Sequence, residues 1–358
     1  MDEIRPIFDE HPLVIAGPCS AETEAQTLAT ARALARAGIR VFRAGVWKPR
    51  TKPGCFEGVG EQGLEWLAKV KAETGMAVAT EVANKSHAEA ALKADVDVLW
   101  IGARTSSNPF AVQEIADVLA ANADKDVAVL VKNPISPDLE LWLGALQRIY
   151  DAGVRRLAAV HRGFRTFGGS VYRNTPCWGV ATALRLRCPK LPILCDPSHM
   201  GGSRELIAPI AQQAYDMGFD GLMVECHCCP DEAWSDASQQ ITPEMLKQIL
   251  GQLVVKERET TSEALEGLRQ RIDAADDDLL EVLARRMEIS REIGEYKKQS
   301  GLAVVQADRY NDIIRSRVAR GETLGIAPDF LTRVLMAIHD ESVRTQIDIL
   351  RESPDPQK

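Results

Sequence analysis

Cationic side chains cluster where one predicted strand ends. Residues 41–51 (VFRAGVWKPRT) predict a β-strand whose end carries three cations, Arg43, Lys48 and Arg50. Pro49 prevents a helix from continuing through the segment. Three cations at one strand end of an acidic protein indicate a site for a small anion. For a single cluster of this kind, however, a solvated basic loop is the more ordinary explanation.

The ends of other predicted strands favour the anion site. Together they bring seven cations from four strands: Arg43, Lys48, Arg50, Arg104, Lys132, Arg162 and Arg165. Lysine and arginine side chains in this number are enough to bind a phosphate and a carboxylate at once. We therefore expect a small substrate that bears both groups.

A second set of side chains has the chemistry of a metal site. It offers one thiol, one imidazole and two carboxylates, from Cys19, His199, Glu225 and Asp236. Such a mixed set suits a divalent transition ion such as Mn, Fe, Co or Zn better than Mg. Taken singly, Cys19 would be interpreted as a buried thiol and His199 as a structural histidine.

The residues after Glu225 leave one alternative open. His227 lies two positions further along the strand, so it faces the same way as Glu225 and competes with it for the metal. The cysteines around it lack the two-residue gaps of a zinc site. We interpret them as packing residues: Cys226, Cys228 and Cys229.

Short apolar runs alternate with amphipathic helical stretches over residues 13–255. The predicted strands are Leu13–Gly17, Ile39–Ala44, Ala77–Val82, Val96–Ile101, Val127–Lys132, Leu157–His161, Pro192–Cys195 and Gly221–Cys226. The predicted helices include Glu22–Ala37, Glu61–Thr74, Pro109–Ala121, Leu139–Asp151 and Arg204–Met217. Eight βα units predict an α/β fold, a (β/α)8 TIM barrel, whose functional residues lie at the carboxyl ends of the strands. A doubly wound sheet is the rival, but no Gly-x-Gly-x-x-Gly follows the first strand.

Composition limits the classes of function. With 358 residues, two domains fit the usual size range. A net charge of −8 argues against a general surface for nucleic acid or anionic membranes. The sequence has no run apolar enough to span a bilayer and no signal peptide, so we expect a cytoplasmic protein whose eight cysteines are free thiols or metal ligands.

The barrel segment resembles 3-deoxy-D-arabino-heptulosonate 7-phosphate (DAHP) synthase, an enzyme of the shikimate pathway. The resemblance depends on five motifs: Gly17-Pro18-Cys19-Ser20, Lys48-Pro49-Arg50-Thr51, Gly102-Ala103-Arg104, Asp196-Pro197-Ser198-His199 and Ser235-Asp236. It implies that phosphoenolpyruvate binds to Arg43, Lys48, Arg104, Lys132 and Arg162. It further implies that erythrose 4-phosphate binds to Arg50 and Thr51, and that the metal binds to Cys19, His199, Glu225 and Asp236.

The expected chemistry is a metal-dependent aldol-type condensation. Carbon 3 of phosphoenolpyruvate attacks the erythrose aldehyde, water adds at carbon 2, and phosphate leaves. Lys48 and Lys132 are the expected catalytic residues of this domain, with Lys132 a candidate for proton transfer because neighbouring cations lower a lysine pKa. The alternative is a 3-deoxy-manno-octulosonate 8-phosphate synthase, but that family has an Asn-Arg-Ser-Ser segment where this chain has Lys48-Pro49-Arg50-Thr51.

A second domain follows a polar linker. We assign residues 1–255 to the barrel, 256–261 to the linker and 262–358 to an all-helical domain. Ser262 predicts an N-cap, and apolar residues at alternating three- and four-residue spacing predict a coiled-coil-like seam: Leu265, Leu268, Ile272, Ala275, Leu279, Val282, Ile289 and Ile293. Arg286 interrupts the seam, so it faces an anion or snorkels from a dimer interface. Lys297 lies about three turns further on the same face.

This domain resembles the three-helix chorismate mutases, with further helices predicted at Ala307–Arg320 and Pro328–Arg351. The resemblance implies that chorismate binds to Arg269, Arg286, Lys297, Arg309, Ser342 and Gln346. Lys297 and Gln346 are its expected catalytic residues, at the ether oxygen where charge develops. Gln306 and Tyr310 stand where that family has acidic residues.

Geometry predicts a homodimer. Arg269 lies 17 residues before Arg286, which is about 25 Å along a straight helix, so both can reach one chorismate only from two subunits. The two expected activities are an early and a late step of one pathway, and their fusion predicts feedback inhibition. In this hypothesis chorismate or prephenate binds at Arg286 and Lys297 and inhibits the reaction of the barrel. The competing interpretation makes the helical domain a non-catalytic assembly module.

Overall fold

The computed structural model describes residues 1, 3–49, 54, 56–167, 170–256, 262–305 and 307–351. The chain divides into two compact units, Met1–Arg258 and Glu259–Lys358. Of the predicted linker, only Lys256 lies among the described residues, and its Nζ is 2.7 Å from Asp216 Oδ1. No described helix is both long and apolar enough to cross a membrane.

The first unit is a closed barrel of parallel strands. Each strand pairs with its neighbours in chain order, and β8 pairs with β1 to close the sheet. The strands are β1 Leu13–Gly17, β2 Val41–Arg43, β3 Ala77–Val82, β4 Val98–Ile101, β5 Ala128–Lys132, β6 Leu157–His161, β7 Ile193–Cys195 and β8 Gly221–Glu225. All eight predicted strands and the predicted barrel are confirmed; β2 is shorter than expected, beginning at Val41 and ending at Arg43.

Ten α-helices accompany these strands in the described residues. They are α1 Glu24–Arg36, α2 Gln62–Thr74, α3 Lys85–Lys93, α4 Ala103–Ser106, α5 Pro109–Ala121, α6 Leu139–Asp151, α7 Trp178–Arg187, α8 Pro197–Gly201, α9 Ile207–Asp216 and α10 Pro243–Gln252. Three 3-10 turns occur at Arg204–Leu206, Pro230–Glu232 and Ala237–Gln239. The helix predicted to begin at Arg204 therefore opens with a 3-10 turn before α9.

Local sequence explains where the helices begin. Thr23, Asn84 and Asp138 accept hydrogen bonds from backbone N–H groups of the first turns of α1, α3 and α6. These residue types are strong N-caps because a short polar side chain satisfies an otherwise unpaired donor. Asn108 does the same before Pro109, whose fixed φ favours the first helical position.

Alternating strand residues build two apolar layers. Side chains such as Ile15, Val98 and Leu130 fill the barrel interior, and Ile7 packs against them. Their neighbours in sequence, such as Leu99 and Val129, belong to a second core shared with helix residues such as Leu67. This packing fixes the strand ends, and with them the functional side chains that follow.

The second unit consists of α11 Glu263–Ser300, α12 Ala307–Thr323 and α13 Pro328–Arg351. The predicted cap is confirmed, since Ser262 Oγ accepts a hydrogen bond from the Leu265 N–H at 3.1 Å. The predicted helix Ala307–Arg320 is three residues too short, because α12 continues to Thr323. A Cβ at Gly321 would lie 2.1 Å from Leu331 Cδ2, so this glycine serves close packing of α12 on α13 rather than ending the helix.

Candidate active sites

Arg43 is fixed at the carboxyl end of β2. Its Nη2 lies 3.2 Å from Glu225 Oε1 and donates to the Cys19 carbonyl at 3.3 Å. The guanidinium also lies over the Trp100 ring, 4.7 Å from the centroid. Gly17 permits this arrangement, because at its φ of +152° a Cβ would meet the Arg43 carbonyl at 2.0 Å. Arg43 is therefore a fully buried cation held by a carboxylate, a carbonyl and an aromatic ring.

Lys48 extends into the same centre. Its Nζ is 3.1 Å from both the carbonyl oxygen and the Sγ of Cys19. Burial alone would lower the pKa of Lys48, but electrostatic interactions with Cys19, Glu81 and Glu225 raise it above the usual value. Lys48 is therefore a cation at neutral pH.

Three of the four predicted metal ligands come together beside Lys48. The ligand atoms of Cys19, Glu225 and Asp236 all lie within 4.8 Å of one another. Cys19 Sγ is 3.2 Å from Asp236 Oδ2. Glu225 is fully buried, yet its Oε1 accepts no hydrogen bond within the described part of the chain. A thiol and two carboxylates gathered this closely fit a divalent transition ion.

The pKa values of two of these groups shift in opposite directions. Burial, and next the charge of Glu225, raises the pKa of the Cys19 thiol to about 12. Burial also opposes ionisation of Asp236, but His199 and Arg173 hold the pKa of that carboxyl below its usual range. A cation at this position would favour the thiolate, as metal ligation by cysteine requires.

His199 borders this group. Its Nε2 lies 3.7 Å from Glu225 Oε1, and its Nδ1 lies 2.8 Å from Asp196 Oδ2. A carboxylate on one ring nitrogen leaves the other nitrogen to act as a ligand. His227 does not compete as predicted: β8 ends at Glu225, and His227 Nε2 instead lies 3.5 Å from Glu22 Oε2.

Lys132 ends β5 and pairs with Asp196. Its Nζ is 2.6 Å from Asp196 Oδ2, and both side chains are almost wholly buried. Burial lowers the pKa of Lys132 and nearby Arg43 acts in the same direction, while Asp196 opposes both. The lowered pKa that we expected is therefore present, with burial as its largest cause. Asp196 was not predicted to have a role, although it binds both Lys132 and His199.

Five of the seven predicted anion-binding residues line one cavity at the carboxyl ends of the strands. The cavity wall contains Arg43, Lys48, Glu81, Arg104, Lys132, Arg162, Arg173, His199 and Asp236. Arg162 Nη1 donates to Asn174 Oδ1 at 2.9 Å, and although burial lowers its pKa to about 10, it is a cation at neutral pH. Arg165 is exposed, and its N–H donates to the Ile135 carbonyl.

Arg173 is a cavity residue that sequence reasoning missed. Its Nη1 lies 2.9 Å from Asp236 Oδ1 and 2.6 Å from Gln239 Oε1. It belongs to the long connection between β6 and α7, far from any strand end in sequence. Only the length of that connection, which must cross the same barrel face, could have indicated it.

The predictions for the erythrose 4-phosphate site and for the cysteines after β8 have different outcomes. Arg50 and Thr51 lie outside the described residues. The packing role is confirmed for buried Cys226, whereas Cys228 is partly buried and Cys229 is exposed. The interpretation of Cys229 as a packing residue is therefore wrong, because the chain has left the barrel core by that position.

A second site lies in the helical unit. Its cavity of about 320 Å³ is lined by Arg286, Ile289, Ser290, Ile293, Lys297, Val304, Tyr310, Ile313, His339, Ser342, Val343 and Gln346. Arg286 Nη1 donates to Ser342 Oγ at 2.5 Å, and Lys297 Nζ donates to Gln346 Oε1 at 3.0 Å. Two cations and a carboxamide thus face an apolar wall, an arrangement suited to a small dicarboxylate with an apolar ring.

The remaining predicted chorismate-binding residues are not part of this cavity as described. Arg269 is exposed on the same long helix and lies 3.6 Å from Glu266. The side chain of Arg309 and the whole of Gln306 lie outside the described residues. Tyr310 is present in the cavity wall, where its ring packs against His339 with centroids 4.4 Å apart.

Comparison with known proteins identifies the family. The model of the DAHP synthetase I family matches residues 6–262, and that of chorismate mutase type II matches residues 268–347. This chain belongs to the DAHP synthetase I family. It is an enzyme that combines a 3-deoxy-7-phosphoheptulonate synthase domain with a chorismate mutase domain, as its sequence predicted.

Individual relatives include both a heptonate and an octonate aldolase. A phospho-2-dehydro-3-deoxyheptonate aldolase from Thermotoga maritima is 34% identical over 240 residues, covering 67% of this chain and 68% of that protein. A 2-dehydro-3-deoxyphosphooctonate aldolase from Syntrophotalea carbinolica is 30% identical over 265 residues, covering 68% and 90%. The crystal structure of the DAHP synthase from Thermotoga maritima superposes with a TM-score of 0.59 at 33% identity, covering 67% of each chain.

Proposed function

We propose that the barrel condenses phosphoenolpyruvate with erythrose 4-phosphate to give DAHP and phosphate. The observation that supports this most is the cavity in which Arg43, Lys48, Lys132 and Arg162 converge beside the Cys19 cluster. Phosphoenolpyruvate bears a phosphate and a carboxylate, and its partner bears a second phosphate. A cation-rich wall of low dielectric offsets the repulsion between such substrates as they approach.

The cations have separate tasks in this proposal. Arg43, Arg104 and Arg162 hold the phosphoenolpyruvate anion, and Lys48 orients it close to Cys19. Lys132 combines a lowered pKa with a carboxylate partner, so it is the residue that we assign to proton transfer. Arg50 and Thr51 bind the phosphate of erythrose 4-phosphate.

We propose that Cys19, His199, Glu225 and Asp236 hold a divalent Mn, Fe, Co or Zn ion. When bound, such an ion supplies positive charge to the aldehyde oxygen during the condensation. Asp196 orients the His199 ring through Nδ1, and Arg173 holds Asp236 in place. Cys19→Ser should then lower both metal content, measured by elemental analysis, and synthase activity.

Phosphoenolpyruvate consumption tests the substrate assignment. Erythrose 4-phosphate should support it, and arabinose 5-phosphate should not. Faster reaction with arabinose 5-phosphate would instead favour the octulosonate synthase. That alternative is tested because a 2-dehydro-3-deoxyphosphooctonate aldolase is among the relatives of this chain. Phosphoenolpyruvate loss with neither aldehyde, under any divalent metal, would contradict both assignments.

The helical unit, in our proposal, rearranges chorismate to prephenate. Arg286 binds one carboxylate, while Lys297 and Gln346 meet at 3.0 Å where they can hydrogen-bond the ether oxygen. Ser342 positions Arg286, and Arg309 provides a further cation. No nucleophile is required, since positioning and electrostatic stabilisation of the developing charge are sufficient. Chorismate loss and prephenate formation by the full-length enzyme test the assignment.

A homodimer through this unit would complete the site. Leu268, Ile272, Leu279 and Val282 are each more than half exposed on α11, although they form the predicted seam. A second copy of α11 would bury them and bring its Arg269 towards the cavity. Leu279→Glu should give monomers in sedimentation and lose mutase activity; a dimer that persists in this variant would contradict the proposal.

Feedback would connect the two reactions. We propose that prephenate or chorismate, bound at Arg286 and Lys297, lowers synthase activity. Prephenate should inhibit the wild type but not Arg286→Ala. Synthase activity that is unchanged over a wide range of prephenate concentration would contradict this. The expected site of both reactions is the cytoplasm, where free thiols such as Cys19 persist.

A further inference from the structure

Two aromatic rings separate neighbouring cavities in the helical unit. Tyr310 from α12 and His339 from α13 have ring centroids 4.4 Å apart and planes inclined by 47°. Both rings line the cavity of Arg286 and Lys297, and both also line an adjoining cavity of about 470 Å³ beside Val305 and Ile347. The two rings therefore form a wall that both cavities share, and they would contact a ligand bound beside Arg286 and Lys297.

His339 stands among charges of both signs. Arg286 and Lys297 face it from α11, and Tyr310 packs on it from α12. Its own helix contributes Asp340, and Arg344 lines the adjoining cavity. Burial lowers the pKa of His339, Asp340 acts in the opposite direction, and the two cations lower it further. Before a ligand enters, the imidazole is therefore neutral at neutral pH.

A dicarboxylate in the cavity would reverse this balance. Two negative charges would neutralise Arg286 and Lys297 and would favour the imidazolium form of His339 over the neutral ring. A group whose pKa is higher in the complex than in the free protein takes up a proton on binding. Affinity then rises as pH falls through the interval between the two pKa values.

We propose that His339 contacts the substrate of the mutase site and makes binding of this dianion tighter as pH falls. Tyr310 is a positioning residue, because its ring holds the imidazole in the cavity wall. The inference rests on the proposed rearrangement of chorismate. It assigns to His339 and Tyr310 a recognition role in a wall where acidic side chains were expected from the resemblance.

Steady-state kinetics of chorismate rearrangement by the full-length enzyme test the proposal. From about pH 8 to about pH 5.5, the KM of the wild type should fall about threefold to tenfold, with kcat nearly constant, because the interaction strengthens substrate binding. His339→Asn keeps a polar side chain that does not titrate, and its KM should not vary with pH. His339→Gln provides a second non-titrating variant if the first folds poorly.

Control variants isolate the effect. Tyr310→Phe retains the ring contact and should retain the pH dependence, whereas Tyr310→Leu should weaken it. His11→Asn alters an exposed histidine of the other unit and should behave as the wild type. Synthase activity and the thermal midpoint should be unchanged in the His339 variants.

Two results would overturn the proposal while leaving the mutase function in place. One is a wild-type KM that does not change with pH while chorismate is still rearranged. The other is an unaltered pH dependence in both His339 variants. Failure of the wild type to rearrange chorismate at every pH would overturn the mutase function and this inference together.

Discussion

The barrel and the helical unit arrange cations in different surroundings. In the barrel, Arg43 and Lys132 are almost fully buried, and each lies within 3.2 Å of a carboxylate. In the helical unit, Arg286 and Lys297 are only partly buried, and they contact a hydroxyl, an amide oxygen and backbone carbonyls. The barrel site is thus preorganised by its own anions, whereas the helical site leaves its positive charge for a ligand.

This contrast predicts how each site responds to substitution. A buried charge that loses its partner is costly, because the remaining charge cannot be solvated. A partly exposed cation that is removed leaves no such charge behind. Substitutions in the barrel should therefore have the larger effects, and each unit should be affected alone.

Lys132→Met should have the largest effect. It removes the proposed proton carrier and leaves Asp196 buried without its lysine, so synthase kcat/KM should fall about 10³-fold. Chorismate rearrangement should be unchanged. The exposed Lys85→Met is the matched control for lost charge. Synthase activity within about threefold of the wild type in Lys132→Met would exclude a catalytic role for this lysine.

Arg286→Ala should reduce mutase kcat/KM about 10²-fold, because one carboxylate of chorismate loses its cation. Synthase activity without prephenate should not change. The neighbouring exposed Arg285→Ala is the control. If both variants retain full mutase activity, the cavity is not the mutase site. The helical unit would then be the assembly module considered as the competing interpretation.

A smaller effect is expected beside Lys48. The Trp47 ring stacks on His87 with centroids 4.1 Å apart and planes inclined by 5°, which holds the turn that carries Lys48. His87→Ala should raise the KM for phosphoenolpyruvate about fivefold with little change in kcat, a loss typical of one aromatic pair. His87→Phe should restore it. A KM that stays the same in His87→Ala would show that Lys48 is positioned without the stack.

The sequence was informative where local patterns carry the signal. Short apolar runs between amphipathic helical stretches predicted all eight strands, and the strand ends then indicated Arg43, Lys132 and Glu225. Contacts between residues that are distant along the chain could not be predicted in this way. Arg173 reaches Asp236 across 63 residues, and nothing in its own segment indicates that contact. The pairing of Asp196 with Lys132 likewise joins two strands that are distant along the chain.

Rules based on local sequence also gave wrong predictions for the ends of two elements. Strand alternation was extended past Glu225 to His227, although β8 ends first. The predicted second helix of the helical unit ended at Arg320, although α12 continues through Gly321, which packs closely against Leu331. In both positions tertiary packing overrides a preference read from neighbours in sequence.

Metal removal tests the central claim, that two separate sites act in one chain. One sample of the full-length enzyme is treated with a chelator, and bound metal is measured. Both reactions are then followed before and after Mn is returned. We predict that erythrose 4-phosphate-dependent loss of phosphoenolpyruvate disappears with the metal and returns with Mn, while chorismate rearrangement continues at the same rate. Undiminished phosphoenolpyruvate loss in metal-free enzyme, or parallel loss of both reactions, would contradict the account.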